Sequence, residues 1–305
     1  DRRKLLAVAL GFVGAILVIL LVSIPFGLLS VLLPMLISNK AVALVITQII
    51  LIVAIYYLVG VGQYRSWRYL LSRTHWRGIR SGMTEQGFSY GLFSFGLTLA
   101  SLFSLGLATP WAMTKRWNRL VGDVRIGSLP MRAEADHRVL WKPFLMAWGV
   151  VVIPMIAFYA WFFINYGSII GKQEPSPEDA QQLVVAILVL YLGLLVLGFV
   201  GAMLFANYQA AYLRETFGKT VIGDTMSLRL EATTWEIIRY YLGDIALVLF
   251  TAYLGMILLP YRYWAFMARR IRIDGTYDEA ALQQSSLAAP SQGDGLVDAF
   301  DASSF

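Results

Sequence analysis

The stretch Leu188-Val-Leu-Tyr-Leu-Gly-Leu-Leu-Val-Leu-Gly198 decides the fold class. It shows none of the period-two alternation that a transmembrane β-strand carries over about ten residues. It lies inside residues 180–213, a run without one charged side chain. A bilayer core of roughly 30 Å takes about 20 helical residues to cross, and in hydrocarbon only a helix satisfies its backbone groups within one segment. The run therefore reads as a membrane helix.

Outward from it the pattern recurs. Residues 5–39, 41–64, 86–114 and 143–171 are equally free of charge, and a shorter sixth block covers 245–261. Of the 305 residues 58% are hydrophobic and 14% charged, against roughly one half and one quarter in soluble domains. No soluble core absorbs that excess. The expected fold is an all-α polytopic membrane protein of two related halves, each with about three hydrophobic segments. The halves are assigned as membrane repeats at residues 1–142 and 143–279. Residues 280–305 form a Ser, Gln and Gly-rich acidic tail with too little apolar surface to order itself, expected to be a disordered, solvated terminus.

The relation between the halves rests on shared segments. Leu105-Gly-Leu-Ala-Thr-Pro-Trp and the basic run from Lys115 to Gly127 echo Leu254-Gly-Met-Ile-Leu-Leu-Pro-Tyr and the run from Arg262 to Gly275. Tyr69 to Thr74 likewise echoes Tyr212 to Thr216. Residues 124–128 and 271–275 alternate apolar and polar side chains around a glycine, a short strand signal, so small cytoplasmic β elements are expected there.

Lys and Arg are retained on the cytoplasmic side. Arg2, Arg3 and Lys4 put the N-terminus inside, and two crossings return the chain there at Arg65 to Arg80. The next block is followed by another basic segment, Lys115 to Lys142, which a single crossing would leave outside. Two readings stand. Either residues 86–114 and 245–261 are re-entrant hairpins that enter and leave on one side, or all six blocks span and the loop signals are weak. The acidic connection around Glu174, Glu178 and Asp179 suits the outside under the first.

Several of these segments together resemble the YjgN-like family of bacterial inner-membrane proteins. They are Arg73-Thr-His-Trp-Arg-Gly-Ile-Arg80, the Leu-Gly-x-x-x-Pro-Trp helix end, the Arg-Trp and Arg-Tyr pairs after it, and the acidic Gly293 to Asp301 tail. The likeness covers roughly residues 5–301. It implies a multi-pass inner-membrane location and no activity, since that family is one of unknown function. Members usually begin with a further copy of the helix-end unit, so residues upstream of Asp1 are expected to be missing here.

Chemistry is sparse. There is no cysteine, which excludes disulfides, thiolate metal sites and cysteine nucleophiles. His75 and His137 lack the companions a metal site needs, and no hydrolase, zincin or nucleotide-binding motif occurs. No enzyme, cofactor or metal is expected. Within the blocks Gln48, Asn165, Asn207 and Gln209 suffice for interhelical hydrogen bonds. Gly11, Gly14, Gly193 and Gly198 are expected to clear space for neighbouring helices, and Asp244 to sit at a helix N-terminus.

The net charge of +6 reads as contact with anionic headgroups rather than nucleic acid. Arg73, Arg77 and Arg80 would share one helical face. With Arg116, Arg119, Arg262, Arg269, Arg270 and Arg272 they are the candidate contacts for anionic lipid or a membrane or cytoplasmic protein partner, although cytoplasmic retention alone also accounts for them. Trp111, Trp117, Tyr261, Tyr263 and Trp264 fall at headgroup depth as interfacial anchors. The expected function is a non-enzymatic scaffold or accessory protein with an Arg-rich cytoplasmic face. The alternative is a transporter or channel for a neutral or amphiphilic solute between the two repeats.

Overall fold

In the computed structural model, residues 24–84, 87–170, 176–276 and 283–284 are described. Helix α1 covers Ile24–Leu36, and Asn39 then caps α2 (Lys40–Arg73), its side-chain oxygen accepting from the amides of Ala41 and Val42. The other helices are α3 (Phe88–Phe103), α4 (Thr109–Gly122), α5 (Trp141–Ile170), α6 (Pro177–Gly218), α7 (Thr234–Phe250) and α8 (Leu259–Arg270). A 3₁₀ turn, His137–Leu140, leads into α5. Among the described residues three helices are long and apolar enough to cross a membrane: Lys40–Arg73, His137–Ile170 and Pro177–Gly218. Their apolar side chains are widely exposed, Leu195 by 69% and Ile164 by 81%.

The expectation of an all-α chain is corrected by a sheet of seven strands: β1 (His75–Trp76), β2 (Ile79–Met83), β3 (Val124–Ile126), β4 (Leu129–Ala133), β5 (Thr220–Ile222), β6 (Met226–Leu230) and β7 (Ile271–Gly275). They lie in sequence order and every neighbouring pair is antiparallel. The two expected strand segments are β3 and β7. The rest escaped because each is too short to show periodicity and is completed by pairing with strands far away in sequence. Arg77 and Gly78, both at positive φ, make the two-residue turn between β1 and β2, as type I′ geometry requires. Gly127 at φ 60 opens the turn between β3 and β4.

The chain forms two compact units. The first holds Asp1–Ala135, Thr216–Glu231 and Leu247–Phe305, and so the whole sheet. Its core gathers Tyr64, Tyr90 and Leu120 from three helices against Met83 and Val124 of the sheet, with Trp67, Leu71 and Met131 around them. Helices α2 and α3 cross at Gly60 and Gly91: a Cβ on Gly60 would lie 3.1 Å from the Gly91 Cα. Asn118 of α4 clamps the end of β4, donating to the Ala135 carbonyl and accepting from the Ala135 amide.

The second unit holds Asp136–Glu215 and Ala232–Ala246. Ser176 and Asp179 cap α6 reciprocally, each side chain accepting from the other's amide. Thr233 and Glu236 form the same box at the start of α7. That box puts the helix start at Thr234, so Asp244 sits in mid-helix rather than at an N-terminus. The expected close packing at Gly193 and Gly198 is also displaced. A Cβ on Gly201 would meet Val151 at 2.5 Å, whereas Gly193 has only ordinary contact with Phe158 and Gly198 has open space. Gly11 and Gly14 lie outside the described residues, as does the tail 280–305 apart from Gln283 and Gln284.

The block read from sequence at residues 86–114 is, from Phe88 on, a helical hairpin. Helix α3 ends at a turn where Leu105 and Gly106 take positive φ. The Ser104 hydroxyl oxygen accepts from the Ala108 amide there, and α4 runs back. The hairpin begins and ends together, because the Thr84 amide donates to the Asp123 carbonyl at 3.1 Å and Met83 pairs with Val124. The segment from β6 to β7 closes similarly: the Glu231 amide donates to the Arg270 carbonyl, and Leu230 pairs with Ile271. Its turn has Ala252 and Tyr253 at positive φ, with the Thr251 hydroxyl oxygen accepting from the Gly255 amide. Ile79 to Met226 and Val124 to Ile271, the first residues of β2 and β6 and of β3 and β7, are the same 147 residues apart.

Candidate functional site

Residues directly opposite one another in a sheet share a face, and alternate residues along a strand share it too. Gly82 opposes Arg125, Arg125 opposes Pro130, Arg132 opposes Val221, Val221 opposes Ser227, and Arg229 opposes Arg272. One face therefore carries Arg80, Arg125, Arg132, Arg229 and Arg272, each from a different strand. The opposite face carries Met83, Val124, Ile222, Met226 and Leu230, all buried. The split has a simple cause. Four strands read apolar, Arg, apolar: Val124-Arg-Ile, Met131-Arg-Ala, Leu228-Arg-Leu and Ile271-Arg-Ile. Alternation sends the apolar pair to the core and the arginine away from it.

The arginine face is exposed except at Arg80, which is half-buried. Asp224 lies 3.6 Å from Arg132, Asp274 3.3 Å from Arg229, and Glu231 3.2 Å from Arg272. These solvent-exposed pairs hold the guanidinium groups in place while contributing little individually. Arg229 and Arg272 stand directly opposite each other, an arrangement of like charges that destabilises a sheet. At the turn end of the sheet Gln283 and Gln284 dock. The Ser128 amide donates to the Gln283 carbonyl and the Gln283 amide to the Ser128 hydroxyl. The Arg80 amide donates to the Gln284 side-chain oxygen, whose amide group donates to the Gly78 carbonyl.

A second polar cluster lies where α2, α3 and α4 meet. The Tyr64 hydroxyl donates to Asp123 at 3.2 Å, and Arg119 stands 3.8 Å from the same carboxylate. Arg116 extends along α3, donating to the Ser94 carbonyl and the Thr98 hydroxyl. A charge thus reaches beside the 86–114 block from α4, which counting charged residues inside the block does not reveal. Burial pushes the Tyr90 hydroxyl up to about 12, with Arg116 opposing and Asp123 adding to the rise.

The expected shared face of Arg73, Arg77 and Arg80 does not form, because α2 ends at Arg73 and the other two belong to the β1–β2 hairpin. Arg73 lies over the Tyr69 ring at 4.7 Å and Arg77 over Trp76 at 5.9 Å. Of the remaining candidates, Arg272 joins Arg80 on the arginine face, Arg116 and Arg119 face α3 and Asp123, and Arg270 covers Phe266 at 4.1 Å. Arg262 is half-buried in α8, and Arg269 is exposed near its end. Arg125, Arg132 and Arg229 were missed, although the repeated apolar-Arg-apolar triplet was their signal. Trp117 sits between Trp67 and Phe217, its indole N–H donating to the Thr220 hydroxyl at 3.2 Å. Trp111 is half-buried, and Tyr261 and Trp264 are exposed. Tyr263, packed on Trp264, has its hydroxyl pKa raised by burial. His75 points back to the Arg73 carbonyl, and His137 lies beside Asp136.

These features define a class: a helical protein with three segments among the described residues able to cross a membrane, carrying an antiparallel sheet with one arginine face. The chain belongs to DUF898, a family of bacterial proteins of unknown function, which it matches over residues 4–299. No curated protein and no solved structure matches it.

Proposed function

We propose that this chain is a non-enzymatic scaffold or accessory protein of the bacterial inner membrane, whose sheet lies on the cytoplasmic side and presents its arginine face to an acidic protein segment. The carrying observation is the alignment of five arginines from five strands on one face. Its chemistry is that of a carboxylate-rich ligand, because a guanidinium fork matches a carboxylate in planar geometry. The opposite sheet face is covered by Tyr64, Tyr90 and Leu120 of the helices, so the arginines are directed away from the helical side. That favours a cytoplasmic partner over lipid for this face. Arg73 and Arg269, exposed near the ends of α2 and α8, are assigned to anionic headgroups, with Trp111, Tyr261 and Trp264 as anchors.

The topology in this reading is re-entrant. Strands of one ladder lie about 4.8 Å apart and cannot stand on opposite sides of a bilayer. The pairing of β2 with β3 and of β6 with β7 therefore supports hairpins that return to the side they left, while α5 and α6 go out and back. The recurrence of the strands at a constant 147-residue spacing supports two related copies. In that register Ser104 matches Thr251 and Gly106 matches Tyr253, two residues away from the alignment of the two Leu-Gly pairs.

The test is binding of a fluorescent Glu-rich peptide to the protein in zwitterionic nanodiscs. Replacing Arg125, Arg132 and Arg229 by Gln should weaken binding about tenfold or more, with a steep salt dependence in the parent protein. Equal peptide binding by both proteins contradicts the reading. Binding transferred instead to anionic vesicles would assign the face to lipid.

A further inference from the structure

The arginine face has a candidate ligand on the same polypeptide. From Tyr277 to Phe305 the chain contains Asp278, Glu279, Asp294, Asp298 and Asp301 and not one lysine or arginine. The described residues show where this segment is led. Strand β7 ends at Gly275, paired with Met226 beside the turn between β5 and β6. Eight residues later Gln283 is hydrogen-bonded at Ser128, in the turn between β3 and β4, and Gln284 at Arg80 and Gly78. Gln283 and Gln284 thus stand at the first two hairpins, at the end of the sheet that carries its turns. Gly127 leaves room for Gln283, since a Cβ there would overlap the Gln283 carbonyl.

We infer that residues 285–305 seat on the arginine face of the sheet, with Asp294, Asp298 and Asp301 meeting its guanidinium groups. The reach suffices. Ten residues separate Gln284 from Asp294, at most about 33–36 Å of extended chain, and seven strands span roughly 29 Å at about 4.8 Å each. The charges are complementary, and an anion between Arg229 and Arg272, each already beside one carboxylate, would offset their like charge. Tethering makes the encounter intramolecular, so weak individual contacts suffice for high occupancy. The inference rests on the acidic-ligand reading of this face and gives it a regulation: an external acidic partner has to displace the protein's own tail.

The absence of native cysteine allows a direct test on the full chain. Ser227→Cys puts a thiol on the arginine face beside Arg229, and Ala299→Cys puts one in the tail between Asp298 and Asp301. Mild oxidation should join the pair rapidly. Adding Asp294→Asn, Asp298→Asn and Asp301→Asn should slow the reaction about tenfold, the scale of a few exposed ion pairs together, as should high salt. A crosslinking rate indifferent to those substitutions overturns the inference, as does failure to crosslink. The same Asn variant, without the cysteines, should bind the Glu-rich peptide about tenfold more tightly. Charge-dependent crosslinking in a protein that binds no external peptide, with or without the Asn changes, keeps the tail on its seat and removes only the reading of an external partner.

Discussion

At Tyr64 and Tyr90 two neighbouring phenols carry opposite consequences. Their rings pack at 5.4 Å, but the Tyr64 hydroxyl donates to Asp123 while that of Tyr90 is buried with no hydrogen-bond partner among the described residues. Tyr64→Phe should lower stability by about 1 kcal/mol, read as a fall in the thermal midpoint in detergent. Tyr90→Phe should be neutral or stabilising, and a loss comparable to Tyr64→Phe would show that its hydroxyl is used. The pH dependence has a definite sign. A phenol held at about 12 in the folded chain and near 10 when unfolded contributes stability below pH 10 that is lost as pH rises from 10 to 12. Tyr90→Phe should flatten that part of the alkaline unfolding profile. Arg229→Thr should leave the melting temperature unchanged or raise it, since it relieves a like-charge pair, while weakening acidic-peptide binding. A clear destabilisation would make Arg229 structural rather than functional.

Among the elements, the crossing of α2 and α3 leaves no room for a side chain at Gly91. A Cβ on Gly91 would overlap Val61 Cγ2 and stand 3.2 Å from the Tyr57 carbonyl, so Gly91→Leu forces the helices apart. The expected result is loss of the monodisperse peak in size-exclusion chromatography, whereas Gly198→Leu, with open space around it, should run like the parent. The helices of spanning length were legible, because a charge-free run of 20 or more residues has few alternatives. The first β-hairpin was not. Arg73, Arg77 and Arg80 recur at helical spacing, and that periodicity outweighed the Arg77-Gly78 turn between them. The sheet as a whole was hidden for a different reason: its strands come from four separate stretches of chain, and nothing local to Met131-Arg-Ala says that it pairs with Thr220–Ile222. The arginine face inherits that difficulty, since five side chains share it only once the register is known.

For the whole molecule the connectivity is the decisive feature. Helix α2 arrives at the sheet, α3 with α4 and α7 with α8 leave and rejoin it at adjacent strands, and α5 with α6 is the one helix pair of spanning length between two of its hairpins. The basic segments that conflicted with six simple crossings all lie in or beside these strands. A re-entrant arrangement removes the conflict by keeping them on the cytoplasmic side, and it makes the external connection between α5 and α6 the acidic one. The most direct test is labelling of single cysteines in intact cells with a membrane-impermeant maleimide. Ser128→Cys and Asp224→Cys should be protected until the cells are opened, and Ser176→Cys should react from outside. Six ordinary crossings demand the reverse at all three positions, so external labelling at Ser128 and Asp224 with protection at Ser176 would contradict the account.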